Sequence, residues 1–177
     1  MTFPVFASGD VLNASDMNAV GLWLVKSQTI GTTVSSVQVT GAFSSDYDNY
    51  LITVNGGVAS TGVNLRLTLG ATAAGYYYGG QNISWAGSSS AVNGSNVAFW
   101  LAGYGTTGTL ELNATIGSPN LAKISTIRTL YVNPDTGSSG GILAGMLNDT
   151  TQYTAFTITT NTGTMTGGTI RVYGYRT

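Results

Sequence analysis

After Thr29, apolar and polar residues alternate with a period of two along most of the chain. That is the period of a strand with one face buried. The cleanest run is residues 63–69, which puts Val63, Leu65, Leu67 and Leu69 on one face and Asn64, Arg66 and Thr68 on the other. The same alternation runs through Val37 and Val39, through Ile52 in residues 50–54, and through Leu110, Leu112, Ala114 and Ile116. It returns at Phe156 and Ile158, and at Ile170 and Val172. Residues 75–80, 82–85, 124–132 and 142–146 read as further strands, and residues 97–101 as one that alternates through Phe99. Turn chemistry separates these runs: Asn55-Gly56-Gly57, a Ser/Gly/Asn loop over 87–94, and Gly- or Asn-rich stretches at 103–108, 117–120, 133–141, 148–150 and 161–168. Roughly eight to ten strands at this spacing, without βαβ alternation, predict an all-β fold, a jelly-roll-like antiparallel β-sandwich.

One stretch breaks the pattern. Residues 6–26, FASGDVLNASDMNAVGLWLVK, carry Leu12, Met17, Val20, Trp23 and Leu24 at roughly helical spacing. Asn13 or Ser15 would cap the start, Asp16 suits the first turn, and Lys26 suits the end. The reading is one short N-terminal helix, preceded by an extended arm that Pro4 holds open. Such a helix either covers an end of its own sheet or packs on another chain. The docking reading names Phe6, Leu12, Met17, Trp23 and Leu24 as partner contacts. The chain then divides into an attachment arm and helix, residues 1–28, and a β-sandwich domain, residues 29–177.

Composition narrows the chemistry. Only 7% of the 177 residues are charged, the net charge is −1, and there is neither Cys nor His. The commonest general base and metal ligand is therefore missing, as are disulfides and thiolate sites. The six cations are scattered, without the basic stripe that phosphate binding needs, so a nucleic-acid partner is not expected. MTFPVFASGD lacks the charged and apolar regions of a secretory signal, and no apolar run is long enough to span a bilayer as a helix. The expectation is a chain made in the cytoplasm and not inserted in a membrane. The 42% hydrophobic content argues against disorder.

Candidate chemistry is thin. Glu111, between Leu110 and Leu112, should face outward; a glycosidase would need a second carboxylate across a cleft, and the sequence singles out none. Asp46-Tyr47-Asp48 lacks the remaining ligands of a calcium loop and reads as an Asx-stabilised turn. No phosphate-binding glycine loop occurs. No enzyme, cofactor or metal is expected. The aromatic run is more informative: Tyr76, Tyr77 and Tyr78, then Trp85, Phe99, Trp100 and Tyr104. Alternation sets Tyr77 opposite to its neighbours, and Phe99 takes the core position, which leaves Trp100 outside. Tyr77, Trp85 and Trp100 are therefore candidates for stacking on a glycan or a protein interface, with packing in the core or between subunits as the alternative.

Three stretches resemble one family. FASGDVLNASDMNAV is similar to the "G-x-x-L-x-A-x-x-x-N" opening of many tailed-bacteriophage virion proteins. Residues 41–54, GAFSSDYDNYLITV, resemble the start of a β-sandwich module of the same proteins, and residues 167–176, GGTIRVYGYR, its closing strand. The resemblance implies a non-enzymatic virion protein, made in the host cytoplasm, of the tail-fibre, tail-tip or adaptor kind. It implies a homotrimer that attaches to other virion proteins through its N-terminal region and presents the sandwich, with host-surface glycan as a possible target. Capsid decoration or cement proteins are the alternative, because the chain lacks a long fibre shaft. A glycan-degrading enzyme is the remote third reading.

Overall fold

The computed structural model describes Ser8, Gly9, Val11 and residues 21–133 and 139–175. The predicted arm and most of the predicted helix, with Phe6, Leu12 and Met17, lie outside these residues. The described chain is all-β, with every strand pair antiparallel. In order, the strands are β1 (Trp23–Thr29), β2 (Ser36–Val39), β3 (Asn49–Asn55), β4 (Val58–Ala59), β5 (Val63–Leu69), β6 (Tyr76–Ser84) and β7 (Ser89–Val97). Then come β8 (Trp100–Gly105), β9 (Leu110–Gly117), β10 (Ser125–Asn133), β11 (Ser139–Leu147), β12 (Phe156–Thr160), β13 (Met165–Thr166) and β14 (Thr169–Tyr175).

Twelve strands share one hydrogen-bonded sheet that folds over itself into a sandwich-like pair of layers. One layer runs β1-β14-β3-β9-β10-β11-β6-β7, and the other β2-β12-β5-β8. They are joined at β9, which pairs with β8 through Leu110–Leu112 and with β3 and β10 nearer its end. The residues expected inside from period-two alternation are inside: Val63, Leu65, Leu67 and Leu69, and likewise Leu110, Leu112, Ala114 and Ile116, are all buried. Phe43 bridges the layers, with its ring 4.8 Å from Tyr50 of β3 and 5.7 Å from Phe156 of β12. On the open side, β4 and β13 form a short ribbon. There Gly57, at φ 78, lies so close to Gly167 that an added Cβ would sit 2.3 Å from its carbonyl oxygen.

Three expectations are corrected. Helical spacing does not hold through Lys26: Trp23–Thr29 is a strand, paired with β14 from Trp23↔Gly174 to Thr29↔Thr169. Apolar Trp23, Leu24 and Val25 fit a strand as well as a helix, and the backbone bonds offered by β14 decide between them. The stretch 87–94 is not a loop; Ser89–Val97 is a full strand, paired with β6. Residues 97–101 are not one strand, because the chain leaves β7 after Val97, beyond Asn96 at φ 54, and re-enters the sheet at Trp100. That break shifts the alternation by one, so Trp100 is fully buried and Phe99 only half-buried, with the Arg66 guanidinium 4.1 Å above its ring.

Candidate functional site

Residues directly opposite each other on neighbouring strands share a face. The register therefore draws one row across the whole outer face of the larger layer: Leu24–Tyr173–Leu51–Thr115–Arg128–Ala144–Gly79–Asn93. Beside it runs Leu130–Ile142–Gln81–Ala91, and on its other flank Thr126–Met146–Tyr77. In the first row Thr115, Ala144 and Gly79 are small, with Arg128 between Thr115 and Ala144, while Leu130 and Ile142 of the second row are large. The result is a groove of about 510 Å³, floored by Gly79, Thr115 and Ala144 and walled by Leu130 and Ile142. Arg128 and Gln81 supply its polar rim.

The apolar wall is open to water. Leu130 is 60% exposed and Ile142 63%, and Val132, Met146 and Ile83 join them on the same face. Covering a side chain of this size yields on the order of 2 kcal/mol. Local sequence explains the surface: TLYV in β10 and ILAGML in β11 are apolar on both sides of the strand, so one side must face outward. A contiguous apolar patch with a sparse polar rim is the usual mark of a protein-docking surface. Alternation alone does not assign the outward face of these two strands; their lack of alternation is the available signal.

The expected site residues separate. Leu24 is exposed on this face beside Tyr173, and Leu22 and Gly21 border a second shallow groove with Leu51, Thr115 and Tyr175. Trp23, one residue on, is half-buried. Tyr77 lies half-buried on the same face, directly opposite Met146. Trp85 is 69% exposed, but it sits in the β6–β7 turn at the far end of the strand from Tyr77. Trp100 leaves the candidate set: its ring packs edge-on to Tyr76 at 5.0 Å and its Nε1 donates to the Met146 carbonyl at 3.2 Å.

Under the outer face lies a tyrosine layer. Tyr131 Oη donates to Asn82 Oδ1, and the Tyr131 ring is 5.0 Å from that of Tyr104. Burial pushes both Tyr76 and Tyr131 up to about 12. The residues read as possible chemistry are engaged structurally. Glu111 Oε2 accepts the Val132 backbone N–H at 3.0 Å. Asp46 accepts from Ser44 Oγ at 3.0 Å, in a loop pinned by Tyr50 Oη, which donates to the Ser44 carbonyl and accepts its N–H. Among the described residues no group of acidic side chains is placed to hold a metal ion.

The described residues thus define an all-β sandwich-like module whose outer sheet face carries exposed apolar side chains. No family model matches the chain, and neither sequence nor structure comparison returns a known protein similar to it.

Proposed function

We propose that this chain is a non-enzymatic structural protein of a tailed-bacteriophage virion, associated with the tail as a fibre, tip or adaptor component. In this reading its sandwich is jelly-roll-like and it works as a homotrimer. The N-terminal region attaches to other virion proteins, and the sandwich serves assembly or contact with the host surface. The observation that carries the reading beyond motif resemblance is the exposed apolar row headed by Leu130 and Ile142, a surface built for protein contact. Trp85 and Tyr77 remain the aromatics to test against host glycan; their distance apart assigns them to two contacts rather than one stacking platform.

Immunogold electron microscopy of purified virions tests the reading. Label on the tail supports it. Label spread over the head would replace it with a capsid-decoration role, and virions that carry no label would overturn both.

A further inference from the structure

Sheets manage their free edges with short strands, bulges, charges or proline, because an open edge pairs with any strand that reaches it. Two edges of this fold are managed. β2 has four residues, and its Gln38 carbonyl is taken by Gln28 Nε2 at 3.0 Å. β1 carries Lys26 and a register shift between Leu24 and Lys26. β7, at the end of the larger layer, is different. It is nine residues long, contains neither charge nor proline, and pairs regularly with β6 from Ser89 to Gly94. Its one register shift is confined to the last residues, beside Asn96. Among the described residues no strand pairs with its outer edge. No charged residue occurs anywhere between Arg66 and Glu111, so nothing in the β6–β7 hairpin repels a partner strand.

We propose that β7 is a self-association edge, which pairs antiparallel with β7 of a second copy about a two-fold axis at Ala91. An axis normal to the sheet keeps each copy's faces in register only when a residue meets itself, and Ala91 lies near the middle of the regular run. Ser89 then meets Asn93 of the second copy, and Ser90 meets its Val92. Antiparallel pairing of identical strands sets like charges opposite one another, so a neutral strand is the kind that tolerates it. A second observation favours a copy of this chain over an unrelated strand. Ala91 ends the outer row Leu130–Ile142–Gln81–Ala91, and the two-fold axis joins that row end to end with its counterpart. The exposed Leu130–Ile142 pairs of both copies then lie on one continuous sheet face. The contact goes beyond the virion reading and does not depend on it; in a trimer it would link one trimer to the next.

The absence of cysteine makes the test direct. Ala91→Cys and the double variant Ser89→Cys/Asn93→Cys, oxidised in a glutathione redox buffer, are compared with Asn113→Cys, an exposed position on β9 of the same face. Opposed strand residues lie about 4.5–5.5 Å apart at Cα, within disulfide reach. A disulfide-linked dimer in Ala91→Cys and in Ser89→Cys/Asn93→Cys, with Asn113→Cys left monomeric, is the expected result. Adding Ser90→Lys to Ala91→Cys should abolish the crosslink while circular dichroism stays unchanged. No crosslink in Ala91→Cys, or equal crosslinking at Asn113→Cys, would overturn the proposal.

Discussion

Leu130 and Ile142 stand directly opposite each other across β10 and β11, each about three-fifths exposed, on the outer face of the larger layer. A cross-strand pair of this kind supports its sheet modestly, while its open side contributes nothing to the core. Replacing both, as Leu130→Gln with Ile142→Thr, should therefore change unfolding free energy by less than about 1 kcal/mol. The same variant should bind less of a hydrophobic dye in the native state and enter virions poorly. Urea denaturation, dye fluorescence and particle incorporation check the three parts. A large loss of stability would show that the pair is structural rather than a docking surface.

The three tryptophans should behave unlike one another. Trp100→Ala removes a fully buried ring, its edge-on contact with Tyr76 and the bond to the Met146 carbonyl, and should cost about 3–5 kcal/mol. Trp85→Ala, in an exposed turn, should stay within about 0.5 kcal/mol of the parent. Chemical denaturation of the two variants is enough to check the difference. If Trp85 contacts glycan, its substitution lowers binding to host envelope and that of Trp100 does so only through unfolding.

Stability should fall at high pH through the tyrosine layer. Tyr76 and Tyr131 have folded pKa values raised to about 12 from an ordinary value of 10.0, because burial disfavours the phenolate. A raised folded pKa adds stability that is complete below about 10 and is lost as pH climbs towards 12. The expected outcome is alkaline unfolding in that window, with the last phenolates appearing together with loss of structure. Absorbance near 295 nm followed alongside circular dichroism checks it. Tyr131→Phe should move the alkaline midpoint upward. A midpoint unmoved in both Tyr131→Phe and Tyr76→Phe would remove these residues from the account.

Acid should act through Asp149. Hydrogen bonds from Tyr153 Oη at 2.6 Å and from Thr151 hold its carboxyl below the usual range. A lowered folded pKa adds stability that is present above the unfolded value, 3.8, and lost as pH falls through the folded one. Asp149→Asn should flatten that part of the profile below about pH 4. Thermal melts across the acid range check it, and an unchanged slope would contradict the assignment.

Where one face of a strand is buried and the other wet, the sequence carries the answer. Val63 to Leu69 and Leu110 to Ile116 alternate because only one side of each strand meets the core. Legibility fails where that contrast fails. β10 and β11 are apolar on both sides, so alternation could not reveal that Leu130 and Ile142 face out. β7 is polar on both sides and reads as a loop, although backbone pairing with β6 makes it a strand. Trp100 was misplaced by a single interruption at residues 98–99, which no local composition rule signals. Trp23 took its strand from β14, about 150 residues away in the chain, beyond the reach of any local propensity.

The most direct test of the virion reading is the copy number of this chain per particle, from quantitative mass spectrometry of purified virions against the major capsid protein. A tail-associated trimer predicts a handful of copies, in a multiple of three. Absence from washed particles, or copies as numerous as the capsid protein, would contradict it.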